Sequence, residues 1–178
     1  MLKKYIPLIL LPLVIGLNSC QKKMNNAMED KYKEINLKIT EIFDNGNVDE
    51  LDPYIAENAI DHGLDTSMTK KTGLAGIKEM AAGYHRIFPD GKTTIHSMAV
   101  SGDTLFCYYT STGTTSEPFM GMPANTKMSM SGVDIVRFEG DKAAEHWGFM
   151  DVNDIAKMMQ SQQPKMESNI PMMGKKKK

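Results

Sequence analysis

Residues Thr126–Asp151 read TKMSMSGVDIVRFEGDKAAEHWGFMD. Two runs with a two-residue apolar period meet at Gly140-Asp141, a turn signal, so the stretch is expected to form two long strands of one hairpin. In the first run Met128, Met130, Gly132, Asp134, Val136 and Phe138 share a face. In the second, Ala144, His146, Gly148 and Met150 do. The pairing sets a carboxylate in the middle of an apolar stripe and an imidazole beside it.

Working outward, Thr93–Val100 and Thr104–Ser116 flank Ser101-Gly102-Asp103 and read as a second hairpin. Ahead of these strands the pattern is helical. Met28–Asn45 carries Ile35, Leu37, Ile39, Ile42 and Phe43 and stops at Asn45-Gly46. Asn47 is placed to cap a short helix through Leu51. Gly73–Ile87 places Leu74, Ile77, Met80, Ala81, Tyr84 and Ile87 three and four residues apart, one buried face. Ile60–Gly63 reads as a short strand or loop, and Asp151–Gln160 as a last helix with Asp151 as its cap. Helices first and a meander of strands afterwards predict an α+β fold.

The hairpin, together with Phe43–Gly63 and Gly121-Met122-Pro123, resembles the SnoaL-like polyketide cyclases of the NTF2-like superfamily over roughly Lys31 to Gln160. The resemblance implies a curved antiparallel sheet forming a cone-shaped cavity with about three N-terminal helices. In those cyclases a histidine and, two residues later, an aspartate stand on the last strand, the aspartate serving as acid and base in an aldol ring closure. His146 matches the histidine, Gly148 stands where the aspartate is expected, and Asp134 aligns with a second site histidine of the preceding strand. Dimers are common in the superfamily, so a homodimer is a possible state.

Asp134 and His146 are therefore the candidate catalytic pair. A carboxylate among Met128, Met130, Val136 and Phe138 must pair, bind something or change its protonation. Protonated, it donates a hydrogen bond to a carbonyl; ionised, it acts as a base. A purely structural pairing with His146 or Arg137 is the other reading. Asp61-His62 is the next candidate. His62, Tyr84, Met122 and Met130 are expected to contact a ligand, with Met120 and Met122 on the rim. Trp147 lies opposite His146 and reads as packing, Cys107 as a small core residue and His85 as solvated; His96 is left undecided.

Lys3-Lys4 followed by the apolar run Ile6–Leu17 reads as a signal sequence, and Leu17-Asn18-Ser19-Cys20 resembles the lipobox of bacterial lipoproteins. Residues 1–19 are then removed, Cys20 carries lipid, 20–27 form a tether, 28–160 the domain and 161–178 a disordered tail ending in Lys175–Lys178. The expected location is the cell envelope, held to the membrane through Cys20. Cleavage leaves 159 of the 178 residues; losing Lys3 and Lys4 leaves 19 Lys and Arg against 22 Asp and Glu. That balance gives no broad basic field for nucleic acid. With Cys20 acylated, Cys107 has no disulfide partner. Histidines at 62, 85, 96 and 146 lack metal-ligand spacing, and no phosphate loop or nucleophile elbow occurs, so no metal or cofactor is expected. The functions left open are a small-molecule binding protein and a cyclase, isomerase or hydratase-type enzyme using Asp134 and His146.

Overall fold

The structure is a computed structural model in which residues 13–161 are described, with side chains described for 26–157. Residues 1–12, where the expected signal sequence begins, and the tail beyond Ser161, with its four lysines, lie outside the described residues. Helix α1 (Leu13–Asn45) begins earlier than the expected Met28, so the segment read as a tether continues the helix. Its inward face is Tyr32, Ile35, Asn36 and Ile42, all buried, whereas Leu37 points away and is exposed. The helix stops where Gly46 adopts a left-handed φ of 76° and donates its N–H to the Ile42 carbonyl at 2.9 Å. A 3₁₀ turn (Val48–Leu51) follows. Asn47 makes no side-chain cap there; the local bond is from the Asn47 N–H to Asn45 Oδ1, 2.8 Å.

Strand β1 (Ile55–Asp61) is longer than the Ile60–Gly63 segment expected. Helix α2 spans Gly73–Ile87 as predicted and buries Ile77, Met80, Ala81 and Ile87. Four strands follow: β2 (Lys92–Ser101), β3 (Thr104–Thr114), β4 (Lys127–Glu139) and β5 (Lys142–Met150), then helix α3 (Val152–Ser161). Gly140, at φ 60°, turns β4 into β5 at the predicted point. Asp151 does cap α3, its Oδ1 accepting the Asn153 N–H at 2.8 Å.

The sheet order is β1-β5-β4-β3-β2. Strands β2 to β5 form the expected antiparallel meander, but β1 pairs with β5 in parallel, so the sheet is mixed. A chain that lays its first strand beside its last needs the whole of α2, β2, β3 and β4 as the crossover. Helix α1 packs across β2 and α2 across β1. Between helices and sheet sits a core of Tyr32, Ile35, Ile42, Leu51, Ile77, Leu105, Val136 and Phe138. The Tyr32 and Phe138 rings stack with centroids 4.2 Å apart. No described helix is long and apolar enough to cross a membrane.

Two bulges correct the strict alternation read from sequence. Register shifts between Ile95 and Ser97, so His96 leaves the inward face of Met98 and Val100 and bonds Thr110 Oγ1 outside, at 2.9 Å. A second shift, between Arg137 and Phe138, pairs Phe138 with Ala143. Ala143, not Ala144, therefore joins the core opposite Phe138, although both alanines are buried.

Replacing Phe138 by Ala removes a ring that is only 2 % exposed and leaves Tyr32 unstacked. The expected cost is about 3–5 kcal/mol, read from the urea midpoint; a loss under about 1 kcal/mol would place this contact outside the core.

Candidate functional site

A cavity of about 440 Å³ opens between the concave face of the sheet and helices α1 and α2. Most of its wall is apolar, from Ile39 and Phe43 on α1, Ile77 and Met80 on α2, and Met128, Met130 and Val136 on β4. Its polar groups gather where β1, β5, β4 and β3 lie side by side. Asp61 and His146 are register partners across the parallel pair, and Cys107, Asp134 and Gly148 form one row across the antiparallel strands.

His146 stands between two carboxylates. Its Nδ1 lies 3.1 Å from Asp61 Oδ1 and its Nε2 3.3 Å from Asp134 Oδ1. Asp61 is fixed in turn by the Gly63 N–H, which donates to the same Oδ1 at 2.8 Å. The Asp61 side chain is 5 % exposed, those of Asp134 and His146 about a third. Burial alone disfavours a charged ring here, but hydrogen bonds to Asp134 and Asp61 and their charges outweigh it and lift the His146 pKa to about 10. Asp61 feels the reciprocal effect: burial would raise its pKa, yet the His146 hydrogen bond and charge, with the Gly63 amide, hold it below the usual carboxylate value. The site is thus an imidazolium clamped by two aspartates that both line the cavity, Asp134 being the more exposed.

Tyr109 completes the group from β3. Burial, and then the charge and hydrogen bonding of Asp134, push its phenol well above the ordinary tyrosine range. Room for this ring comes from Gly132 on the neighbouring strand, where an added Cβ would sit 2.8 Å from the Tyr109 hydroxyl and 2.8 Å from the Phe149 carbonyl oxygen. Cys107 is buried in the same row, and burial with Asp134 nearby pushes its thiol up to about 11, an inert protonated state at neutral pH. Gly148 faces the cavity as expected; a Cβ there would lie 3.3 Å from Asp134 Oδ1.

Of the expected ligand contacts, Tyr84 and Met130 line the cavity. Two do not. His62 follows Asp61 on an extended chain and so points to the opposite face, where it stacks on Trp147 at 4.8 Å and bonds Glu145 Oε1 at 2.9 Å. Met122 is buried in its own loop, pinned by reciprocal Phe119–Met122 backbone bonds of 2.9 and 2.8 Å, while Phe119 and Met120 take the rim. Phe119 packs edge-on against Tyr84 and Phe88. His85 is not solvated: its ring lies against Gly46 and its Nδ1 is buried with no hydrogen-bond partner among the described residues. Sequence reasoning passed over Tyr109, Phe119 and the buried Asn36. Tyr109 was detectable from its two-residue spacing to Cys107; Phe119, in a loop, offered no periodic signal. Among the described residues there is no cluster of three or more His, Cys, Asp or Glu suited to a metal ion.

In an unfolded chain histidine titrates near 6.5. Because the folded value is raised, His146 stabilises the fold fully below about 6.5, and that contribution is lost as pH rises through about 10. The lowered Asp61 acts at the other end, stabilising above its ordinary value of 3.8 and losing that effect as pH falls below it. We expect the His146 ring carbon and nitrogen NMR shifts to report an imidazolium through neutral pH with a midpoint near 10. A midpoint near 6.5 would show that the two aspartates do not clamp it.

Residues 33–159 match the family described as SnoaL-like polyketide cyclase. Among solved structures, a proposed polyketide cyclase from Acidithiobacillus ferrooxidans is similar at 27 % identity with a TM-score of 0.62, covering 74 % of this chain and 95 % of that one. A SnoaL-like polyketide cyclase from Agrobacterium tumefaciens superposes with a TM-score of 0.62 at 19 % identity, over 72 % of this chain and 97 % of that one. IdmH, a proposed polyketide cyclase from Streptomyces antibioticus, does so at 0.61 and 22 % identity, over 72 % and 98 %. No curated protein matches the sequence. The match of residues 33–159, together with the mixed sheet and its cavity, makes this chain a member of the SnoaL-like polyketide cyclase family.

Proposed function

We propose that this chain is a lipid-anchored binding protein that holds a small apolar or cyclic molecule in its cavity, oriented by Asp134 and His146. The observation that carries the reading is the cavity itself: about 440 Å³, apolar over most of its wall, with an aspartate and an imidazolium side by side on the sheet. Sites for small molecules have this build, a greasy volume with a few fixed polar groups. Tyr84 and Met130 contribute to its wall. Acylation at Cys20 supplies the membrane attachment and the cell-envelope location, a reading supported by the Leu17–Cys20 sequence. A homodimer would use the outer sheet face, where Phe106, Tyr108, Val133 and Phe149 are exposed.

A second reading, acid and base catalysis, is favoured by one contact, the 3.3 Å approach of His146 Nε2 to Asp134 Oδ1. In that reading Asp134 is the group that takes or gives the proton. His146, charged through neutral pH and bonded on both nitrogens, positions Asp134 and balances its charge. Gly148 adds no further carboxylate beside Asp134 on the last strand.

Native mass spectrometry of the full-length chain taken gently from its host is expected to reveal a bound small molecule that is lost on denaturation and in Asp134→Ala. Wild type and variant both empty would remove the binding reading. Turnover of that molecule by wild type, abolished in Asp134→Asn while affinity stays measurable, would replace binding with catalysis. Cys20→Ala is expected to move the protein from the membrane to the soluble fraction; retention in the membrane would overturn the anchor.

A further inference from the structure

The charges around the cavity do not cancel. Lys92, at its edge, pairs with Asp44 at 3.3 Å. Glu145 is held from the outer side by Arg137 Nε and His62, each at 2.9 Å. His85 also lines the cavity, with its Nδ1 buried and without a hydrogen-bond partner among the described residues, and it pairs with neither aspartate of the site. What remains is one imidazole between two carboxylates, Asp61 and Asp134. Even with both ring nitrogens protonated, the group carries one negative charge in excess. Asp61 also lines the cavity, but its Oδ1 is engaged by the Gly63 N–H and His146 and its side chain is 5 % exposed against 30 % for Asp134, so the excess is presented to the cavity mainly by Asp134. Two carboxylates that share one imidazolium are only partly balanced, and a cation of the right shape in the cavity completes the balance.

The opposite wall points the same way. Phe119 meets Tyr84 edge-on with centroids 6.4 Å apart and Phe88 at 5.4 Å, so aromatic rings with different orientations border the cavity. Ring faces attract cations, most strongly when water is excluded. Tyr84 lies near enough to Asp61 to feel its charge, which, after burial, raises its phenol pKa and keeps the ring neutral.

We propose that the cavity takes a cationic organic molecule, an apolar body bearing an ammonium group that sits against Asp134 and the aromatic wall of Tyr84, Phe88 and Phe119. The inference rests on the binding reading above and narrows it to one charge class. It also assigns Phe119 as a specificity-determining residue, on a loop where Met120 adopts a φ of 49° and is more than half exposed at the rim.

The test is titration calorimetry of the full-length chain with benzyltrimethylammonium and with its uncharged carbon isostere, neopentylbenzene. The cation is expected to bind at least about tenfold more tightly, and the preference to shrink to about twofold or less in Asp134→Asn. Phe119→Leu, which keeps an apolar rim without a ring face, is expected to reduce the preference by weakening binding of the cation more than that of the neutral isostere. Equal binding of both probes to wild type overturns the charge class and leaves the binding reading standing, and this comparison needs no variant to fold. A preference that persists undiminished in Asp134→Asn overturns the role of that carboxylate. Failure of both probes to bind the wild type overturns the binding reading and this inference with it.

Discussion

One imidazole ring between two carboxylates joins three strands of this sheet. His146 belongs to β5, Asp61 to the parallel edge strand β1, and Asp134 to β4. Nothing else in the site is shared so widely: the Gly63 amide serves Asp61 alone, and Tyr109 reaches only Asp134. Charge at His146 makes Asp61 a stable ion in a nearly closed pocket, and Asp61 in turn keeps the ring facing Asp134. A lone carboxylate as enclosed as Asp61 would be driven toward its neutral form. The ion triplet therefore makes both buried charges tolerable and leaves the surplus at the cavity wall.

The glycines beside this triplet define its shape as much as the charged groups do. Gly132 makes space for the Tyr109 ring, and Gly148 leaves open the space next to Asp134. The cavity's charged group is spread over β1, β4 and β5, with His146 of the last strand at its centre. Family membership accordingly explains the architecture, while the chemistry has to be read from Asp61, His146, Asp134 and Tyr109 themselves.

Much of this was legible in the sequence where a single period governs an element. Alternation along β4 put Asp134 on the cavity face, and the three-and-four spacing of α2 gave both its limits and its buried side. Gly140-Asp141 marked the turn at the right place because a left-handed residue is needed there. The failures have one physical origin. A two-residue period fixes a side chain's face only relative to a chosen neighbour, and bulges reset that reference. His96 and Ala144 were misplaced by the bulges at Ile95–Ser97 and Arg137–Phe138. His62 was misplaced differently: Asp61 and His62 look equally suitable in sequence, and only the parallel pairing of β1 with β5 shows which of them faces His146. Met122 and Phe119 sit in a loop, where no period operates at all.

The bond between Asp61 and His146 spans 85 residues of chain. Such a contact closes late in folding, because the long loop between its ends is entropically expensive until the intervening strands are in place. The polar end of the cavity is consequently a property of the finished sheet rather than of any segment. Edge strands open more readily than central ones, and β1 is held to the sheet on one side only. Loss of that edge takes Asp61 from the triplet together with the core residues Ile55 and Ala59, so a molecule seated against the triplet would act as a clasp on the strand that closes the fold.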